Sequence, residues 1–490
     1  MPAEPGTPEW WLRQLHHRLQ VRRIYVRKLR NYYDGEHNLQ FASEKFRTHF
    51  GGLFNAFADN WCETVVDASL ERQRLQGFRV GPDQKPSKDA WAIWQRSDCD
   101  SLFEIANLST HVDGECIATA WWSGKEQESI ITFDSADTAV VVTDPRNPRR
   151  RLAGLRVYLD EWGYEHAELF LSGLVFFYVS KTTRASGYTS VDSARVQWVP
   201  DTLVAGAVVD GPQAIISNPL GVVPMVPMTN KPRMWLKAED CTIGSELTPI
   251  IPLQDAVNKL LSDVLITSEA GAFPLRYAAG YTPEVDLDGN PKPPPWVRGD
   301  KTWAALSDPQ AKLGNLEAAE LKNWTEVITL VVQHIASISR TPPHYLNTSA
   351  DRLSGESIKS AETGLVAKVF RKIVHRSSNA EELMRLCGLI ENIPEIYEAD
   401  DMETVWSDPE SRTESEHIDA VGKKRQILEI PLEQAWEDAG YSPTQIEKML
   451  KLRDKELAEA AKHAREMAEL EQIGTGEEPE SGPDSNSEAA

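Results

Sequence analysis

Two adjacent prolines, Pro342 and Pro343, constrain the fold of this chain more than any other feature of its sequence. Proline lacks a backbone N–H and has a fixed φ, so the pair ends any helix that reaches it, and Pro342 also disfavours a helical conformation at Thr341. Before this break, apolar residues recur at spacings of three and four, at Leu321, Trp324, Val327, Ile328, Val331, Ile335 and Ile338. The pattern predicts an amphipathic helix that ends at the break.

A polar loop, His344–Asp351, is predicted directly after the prolines. Ser354 is a candidate N-cap, and the chain is predicted to be helical again from Ser357 onward. The apolar stripe of this second helix contains Ile358, Ala361, Leu365, Val369 and Ile373. Its flank is basic and polar, with Lys359, Lys368, Arg371, Lys372, His375 and Arg376. On pattern alone, the favoured interpretation is a helical hairpin in an ordinary core.

Length and composition limit the class of protein. A chain of 490 residues, 41% of them hydrophobic, is expected to form two to four domains and to bury a sizeable core. The formal net charge of −22 argues against a protein that grips nucleic acid over a broad basic face, but it allows contact with DNA in passing. The five scattered cysteines have no metal-ligand or redox spacing, which indicates a reduced cytosolic protein. The sequence shows neither a secretory signal at its start nor a membrane span of about 20 apolar residues, so no membrane contact is expected.

The first part of the chain is predicted to be helical. The helix Pro8–Tyr33 has a very basic face, and a solvated surface is favoured there over contact with acidic neighbours or packed DNA. That face contains Arg13, Arg18, Arg22, Arg23, Arg27, Lys28 and Arg30. A second helix is predicted for about Leu53–Leu75, closed by Gly77 as its C-cap. Two shorter helices are predicted over Asp89–Cys99 and Leu102–Val112.

From Glu115 to about Pro232 the apolar period changes to two, which predicts short strands separated by turns. The strands are Ile117–Trp122, Ser129–Phe133, Thr138–Thr143, Leu152–Leu159, Glu168–Leu171 and Leu174–Val179. The turn at Asp144–Pro148 leads into three arginines, Arg149 to Arg151, a cluster that is weak evidence for nucleic-acid contact. The run Asn218–Pro224 predicts a turn before an edge strand, where proline is tolerated.

A further helix is predicted from Thr248 to about Gly271, with an apolar face of Leu253, Val257, Leu260, Leu261, Val264 and Leu265. The segment Phe273–Gly314 is rich in proline, glycine and aromatic residues and predicts loops with a small sheet at most. Its Asp-Leu-Asp-Gly-Asn run does not fit a calcium loop, because the glycine is fourth rather than sixth. The remainder predicts a strand and turn at Met402–Pro409 and helices over Glu414–Leu428, Leu432–Ala439 and Pro443 to about Leu470. Beyond Ile473, disorder is predicted.

Motifs of catalytic chemistry are missing from the sequence. It has no G-x-x-x-x-G-K-[ST] loop for a triphosphate, no H-E-x-x-H, no G-x-S-x-G and no G-x-G-x-x-G that opens a helix. His16 and His17 are interpreted as solvated, and His334 as a core histidine rather than a ligand. The sequence therefore predicts no enzyme activity, no catalytic residue, no metal site and no cofactor.

Several segments, in a fixed order, resemble portal proteins of tailed bacteriophages, of the siphophage-type family common in phages of actinobacteria. They are NYYDGEHNL at Asn31–Leu39, NWCETVVDASLERQRLQGFRV at Asn60–Val80, NPLGVVPMVPMTNKP at Asn218–Pro232, SELTPIIPLQDAVNKLLSDVLITSE at Ser245–Glu269, RTPPHYL at Arg340–Leu346, SGESIKSAE at Ser354–Glu362 and VWSDP at Val405–Pro409. The resemblance covers about Val21 to Leu450, and the C-terminal part departs most from the shared pattern.

The resemblance implies an α+β portal fold with a mixed α/β wing, two long stem helices, a small clip module, a long tunnel helix and a helical crown. On this chain the implied boundaries are 1–240 for the wing, 241–272 for the first stem helix, 273–315 for the clip, 316–339 for the second stem helix, 340–353 for the tunnel loop, 354–391 for the long helix, 392–472 for the crown and 473–490 for a disordered acidic tail.

The resemblance also implies a homo-oligomeric ring, usually a dodecamer, at one capsid vertex of the virion, assembled in the bacterial host cytoplasm. Double-stranded DNA would pass through it, with the terminase, the head-to-tail connector and the major capsid protein as partners. The expected DNA-contacting residues of the tunnel loop are His344, Tyr345, Asn347, Thr348, Ser349 and Arg352. The expected partner-binding residues of the clip are Trp296, Arg298, Lys301 and Trp303, although packing within the module is an equal alternative for the two tryptophans.

Two other classes of protein stay open. One is a different structural or scaffold-associated protein of the phage head, which would lack a ring with a DNA-sized channel. The other, less favoured, is a terminase subunit or nuclease, which needs a nucleotide loop or a clustered carboxylate metal site. The acidic charge balance favours the portal, because many phosphate contacts would stall DNA in a channel.

Overall fold

The structure is a computed structural model that describes residues 4–36, 59–81, 85–183, 196–201, 214–233, 244–272, 276–279, 285–290, 312–315, 321–346, 355–410 and 414–474. Within these ranges helices and antiparallel sheets are both extensive. The prediction of a mixed α and β chain is therefore confirmed.

Helix α1, Pro8–Tyr33, has the bounds that the sequence predicts. Thr7 is its N-cap and accepts a hydrogen bond from the Trp10 N–H, while Pro8 occupies the first turn. The apolar side packs against the larger sheet through Leu12, Leu15 and Leu19. Helix α1 thus forms a layer over the larger sheet.

The interpretation of the basic face of α1 as solvated is wrong for three of its arginines. Their ion pairs are Arg22–Glu115, Arg23–Glu165, Arg30–Asp113 and Arg30–Asp137, with N–O distances of 2.8, 3.0, 2.6 and 2.9 Å. The other members, Arg13, Arg18, Arg27 and Lys28, are exposed. The ion pairs fasten α1 to strands β3 and β7, to the end of α4 and to the β4–β5 turn, and helical periodicity alone cannot show which charges have such partners.

Helix α2, Trp61–Leu70, ends earlier than predicted, and the predicted part before residue 59 lies outside the described residues. Gly77 is not a C-cap: it lies in strand β1, Leu75–Val80, opposite Val405. Pairing with a segment far along the chain decides the conformation here, and a local pattern carries no information about that partner. Strand β2 is Lys85–Pro86, and helices α3, Lys88–Arg96, and α4, Cys99–Asp113, confirm the two shorter predicted helices.

The six predicted strands are confirmed. They are β3 Glu115–Ser123, β4 Glu128–Ser135, β5 Ala139–Asp144, β6 Asn147–Leu159, β7 Glu165–Leu171 and β8 Leu174–Ser180, followed by the shorter β9 Trp198–Pro200, β10 Ile215–Ser217 and β11 Met225–Thr229. The larger sheet has the order β10-β8-β7-β6-β5, with β9 beside β8. The smaller has the order β11-β3-β4, so β11 is an edge strand as predicted.

The two sheets pack face to face. Ile117 of the smaller sheet and Phe170 of the larger one belong to a common buried cluster with Met225. At Gly154 of β6, a Cβ would collide with the sulfur of Met225, so any larger residue there would have to displace the Met225 side chain between the sheets. The outer face of the smaller sheet packs against α4 and against the long helix Gly355–Glu391. The result is a layered domain of helix, sheet, sheet and helix.

Helix α5, Ile251–Ala272, and helix α6, Leu321–Ser339, pack against each other and against α2. Both bounds match the predictions, but the predicted apolar stripes are only partly buried. On α6, Ile335 is buried whereas Val327 and Ile338 are 45% and 54% exposed. The apolar residues of α6 are spread over more of the helix surface than one face can bury. Their spacing therefore could not show which side of α6 faces the core.

The buried side of α5 is largely polar, with Gln254, Asn258 and Ser262. Asn258 Oδ1 accepts from the Asp59 N–H at 2.9 Å, and Gln254 Oε1 accepts from the Trp61 N–H at 2.9 Å. These amides hold the start of α2, so polar residues share the buried side of α5 with Val257 of the predicted face, which is fully buried. Leu265 of the predicted face is instead 40% exposed.

The break after α6 occurs where the prolines predict it. Arg340 has a φ of 58°, and the Thr341 N–H donates to the Ala336 carbonyl, which is a Schellman-type helix end. Residues 344–346 are not loop as predicted, because Pro343 starts one further helical turn, α7, Pro343–Leu346. Helix α8, Gly355–Glu391, follows, and the proposed N-cap Ser354 lies outside the described residues.

The remaining elements agree with the predictions, apart from one short helix, Pro394–Tyr397, that was not predicted. The segment between α5 and α6 contains a two-stranded sheet of β12 Arg276–Ala279 and β13 Lys312–Asn315. After α8 come α9 Pro394–Tyr397, β14 Glu403–Trp406, α10 Glu414–Leu428, α11 Leu432–Asp438 and α12 Pro443–Gly474. The tail predicted to be disordered lies almost entirely outside the described residues. In the described part of the chain, no helix has the length and hydropathy needed to span a bilayer.

Candidate functional site at the junction of the long helices

A buried cluster of charges lies where α5, α6 and α8 meet the sheet domain. Glu246 precedes α5, and its carboxylate is 2.7 Å from the Lys372 ammonium and 2.9 Å from that of Lys368. Lys231 completes the ion pairs at 3.3 Å, and the Asn230 amide donates to Glu246 at 3.0 Å. We call these five residues the Glu246 cluster.

The Glu246 cluster joins segments that are far apart in the sequence. Lys368 also donates to the carbonyl of Ser339, at the negative end of the α6 dipole. The Glu246 N–H donates to the carbonyl of His111 on α4 at 3.0 Å. Asn230, directly after β11, accepts from Lys372 and donates to the Gly244 carbonyl. One carboxylate thereby connects the start of α5, the end of α6 and the middle of α8.

Burial and pairing shift the ionisation of this site. Burial raises the pKa of Glu246, but Lys372 and Lys368 outweigh it and hold that pKa well below its usual range. Burial lowers the pKa of Lys372 to about 7, although Glu246 opposes this. Burial, with Lys372 and Arg376 nearby, also keeps the pKa of His111 well below its usual value. Glu246 therefore stays ionised at neutral pH and His111 stays uncharged.

A lysine with a lowered pKa is a common mark of an active site. Here Glu246, Lys368 and Lys372 are only 3%, 4% and 6% exposed, so no substrate reaches them in this structure. Within the described residues, no group of histidine, cysteine and carboxylate side chains has the arrangement of a metal site. Two interpretations of single histidines are wrong, since His16 is buried rather than solvated and His334 is exposed rather than in the core. The cluster can hold three helices in place, but it has no route for catalysis.

A second contact holds residues in the first half of the predicted tunnel loop. Arg72, at the end of α2, donates to the Tyr345 hydroxyl at 2.9 Å and to Glu362 of α8 at 3.0 Å. The His344 imidazole lies 3.6 Å from the same Glu362 carboxylate. Tyr345 and Glu362, which lie on either side of residues 347–354, thus both contact Arg72. His344 and Tyr345 belong to a fixed helical turn rather than to a mobile loop.

The other predicted site residues fall outside the described part of the chain. These are Asn347, Thr348, Ser349 and Arg352 of the tunnel loop and Trp296, Arg298, Lys301 and Trp303 of the clip. Of the predicted set, the structure therefore brings together only His344 and Tyr345, beside Glu362 and Arg72.

Sequence reasoning missed the Glu246 cluster because it assigned Lys368, Lys372 and Arg376 to a polar flank. All three are buried, and Arg376 is 1% exposed. A signal was present: these residues repeat every four positions, one before each of Val369, Ile373 and Ser377. A basic row that lies directly against an apolar stripe indicates a buried face wider than the stripe alone. The carboxylate that compensates it, Glu246, has no such pattern.

Comparison with known proteins shows the family to which this chain belongs. The chain matches the family model described as phage portal protein, SPP1 Gp6-like, over residues 12–464, and it belongs to that family. It is 28% identical over 412 residues to the portal protein of Mycobacterium phage D29, with 80% of this chain and 78% of that protein covered. It is also 28% identical over 411 residues, with the same coverage, to the portal protein of Mycobacterium phage L5.

Among solved structures, the chain is similar to a chain of the virion of a native gene transfer agent particle, with a TM-score of 0.40 and 12% identity. The alignment covers 78% of this chain and 86% of that one. The identification as a phage portal protein, made from the sequence, is confirmed by the family. The family is structural rather than enzymatic, and its place is in the virion.

Proposed function

We propose that this chain assembles into a closed ring at one capsid vertex, through which double-stranded DNA passes during packaging and ejection. The main observation in support is an apolar surface of α5 and α6 that stays exposed in the single chain, at Leu265, Val327, Leu330 and Ile338. Exposed apolar residues along a pair of long helices are typical of a surface that another subunit covers. In a ring, that subunit is a neighbouring copy.

The boundaries implied by the resemblance form part of the proposal. Helices α5 and α6 are the two stem helices, and the β12–β13 sheet between them belongs to the clip. The mutual packing of α5 and α6 supports this division, since the sheet then lies at the far end of a helical pair. The layered sheet domain is the wing, and α10 to α12 form the crown.

The tunnel loop, residues 340–353, is proposed to contact DNA through His344, Tyr345, Asn347, Thr348, Ser349 and Arg352. The Arg72 contacts support this assignment, because they fix the residues on either side of 347–354 and so let the loop project from a rigid base. A loop that touches moving DNA needs such an anchor to keep its position in the channel.

The proposed partners are the terminase and the head-to-tail connector at the clip, through Trp296, Arg298, Lys301 and Trp303, and the major capsid protein at the wing. The proposed ring has twelve copies and assembles in the cytoplasm of the bacterial host. A passive channel needs no ATPase of its own, in agreement with a sequence that lacks a phosphate-binding loop.

The test is the mass and shape of the purified chain, from light scattering and negative-stain microscopy across a range of concentrations. We expect a closed ring of about a dozen copies with a central hole, since a contact between unlike surfaces must close on itself to avoid a filament. A compact dimer with a deep cleft, or a chain that stays monomeric at every concentration, would contradict the ring.

A further inference from the structure

Strand β6 carries exposed side chains of different chemistry at its two ends. At its start, Arg146 of the β5–β6 turn and Arg149 and Arg150 of the first residues of β6 are exposed, and we call these three the basic tip. At its end, the β6–β7 turn presents Glu161, Trp162 and Tyr164, which we call the aromatic tip. The strand Asn147–Leu159 has 13 residues, so the tips lie about 40 Å apart on opposite sides of the wing.

The aromatic tip is unusually open for its residue types. Trp162 is 77% exposed, and Leu159 and Tyr164 beside it are 46% and 36% exposed. Tryptophan and tyrosine at such exposure are typical of the centre of a protein–protein contact. The Glu161 carboxylate adds an acceptor for a cation on the same turn.

The turn that carries Trp162 is held rigid. Asp160 Oδ1 accepts from the Tyr164 N–H at 2.7 Å, and Asp160 Oδ2 lies 3.2 Å from the His166 imidazole. The Asp160 N–H donates to the Tyr164 carbonyl, and Gly163 has a φ of 87°, which favours glycine. A preorganised tip loses little entropy when a partner binds it.

The basic tip is equally exposed. Asp144 lies 3.8 Å from Arg150, whose side chain remains 71% exposed, and the side chains of Arg146 and Arg149 are exposed too. The turn itself is ordered by Asp144 and Asn147, whose side chains accept from the N–H groups of Arg146 and Arg149. The guanidinium groups are therefore presented outward from a fixed turn.

The two tips match each other chemically. A guanidinium stacks on the face of tryptophan or tyrosine and pairs with a carboxylate through two parallel hydrogen bonds. Since one rigid strand holds both tips about 40 Å apart, they face different neighbours rather than each other. A closed ring needs this geometry, because every subunit must offer two unlike and complementary surfaces.

We propose that the basic tip of one copy of this chain binds the aromatic tip of the next, as one of the contacts that close the ring. This inference rests on the proposed function, since it names the surfaces by which the ring forms. Contact of the basic tip with DNA would leave the exposed aromatic tip without a role, so a second copy is the favoured occupant of both.

The test compares ring assembly of charge variants by light scattering. Arg149→Glu with Arg150→Glu, and separately Trp162→Ala, should each raise the protein concentration at half-assembly at least about tenfold, because every subunit contact loses the same pair. Glu161→Arg alone should weaken assembly. Combined with the two arginine changes it should restore the midpoint to within about threefold of the wild type, because the charges are complementary again.

The matched control is a third exposed turn, between β3 and β4. Lys125→Glu there changes a surface charge by the same amount as one arginine reversal and should leave the midpoint unchanged. Circular dichroism and thermal unfolding of the monomers check that each variant folds.

The outcomes separate this inference from the proposed function. Wild-type rings together with unchanged assembly of the tip variants would overturn the inference alone. Tip variants that form normal rings but fail to retain DNA would assign the basic tip to nucleic acid and overturn it too. A wild-type chain that never forms rings would remove the proposed function, and the inference with it.

Discussion

The Lys372 ammonium, from the middle of α8, lies 2.7 Å from the carboxylate of Glu246, which belongs to the segment before α5. The Asn230 amide and the ammonium groups of Lys368 and Lys231 also contact that carboxylate. One acidic side chain thus compensates two fully buried lysines, which makes it the most sensitive position of the junction.

Glu246→Gln should destabilise the chain by about 3 kcal/mol, because it leaves Lys368 and Lys372 buried without a countercharge. Chemical unfolding followed by circular dichroism measures this. The control is Glu459→Gln on α12, which removes an exposed ion pair with Lys455 and should have no measurable effect. Equal unfolding midpoints for wild type and Glu246→Gln would contradict the central role of Glu246.

The same pair predicts a pH dependence. The pKa of Glu246 is well below 4.5 in the folded chain and near 4.5 in the unfolded chain. Its stabilisation is therefore complete above pH 4.5 and is lost as the pH falls, since the unfolded state takes up the proton first. The free energy difference between wild type and Glu246→Gln, from urea unfolding between pH 7 and pH 3, should shrink below pH 4.5. A constant difference would show that Glu246 does not titrate in this way.

At the base of the tunnel loop, Tyr345→Phe removes one hydrogen bond of Arg72 and should cost about 1 kcal/mol. Arg72→Met should cost more, about 3 kcal/mol, because it leaves the Glu362 carboxylate buried without its cation. Thermal unfolding ranks the two variants. Tyr441→Phe, at a tyrosine that is 43% exposed, is the control for loss of a hydroxyl and should match the wild type.

Deletion of Asn347–Asp351 should leave ring assembly intact but impair DNA packaging or retention, because the ends of the loop stay anchored while its tip is gone. Electron microscopy of the rings and the DNA content of the heads measure the two effects separately. Normal packaging by the deleted variant would show that the tunnel-loop assignment is wrong.

The exposed side of α6 gives a further test of the ring. Leu330 is 51% exposed, so Leu330→Ser should change monomer stability by less than about 0.5 kcal/mol yet weaken assembly. Ile335→Ser on the buried side should do the reverse and unfold the monomer first. If Leu330→Ser assembles at the same concentration as the wild type, this face of α6 is not a subunit contact.

The sequence predicted elements well and their surroundings poorly. The bounds of α1 and α6 and the existence of strands β3 to β8 followed from period and from proline or glycine positions, because those signals are local, although β6 and β7 begin five and three residues earlier than predicted. Gly77 failed as a C-cap since its strand partner, Val405, is distant in the chain. A turn can be predicted from a few consecutive residues, whereas the strand with which a segment pairs cannot.

The candidate site shows the same limit more sharply. The resemblance drew attention to residues after Pro343, and the structure ties two of them, His344 and Tyr345, to Glu362 and Arg72. The Glu246 cluster could not be predicted because its members come from separate segments of the sequence. Lysines such as Lys368 and Lys372 are expected to be exposed to solvent unless a buried partner is known. A buried charge is recognised only together with its countercharge.

Helix α8 is continuous over 37 residues, about 55 Å of unbroken hydrogen bonding. Its first turns hold Glu362 beside the base of the loop, its middle holds Lys372 on Glu246, and Arg385 near its end donates to the carbonyl of Ala399. Such a rod resists bending but can pivot or slide as a unit. If the loop contacts DNA as proposed, a push by DNA against it would therefore also displace the far end of α8, near Ala399.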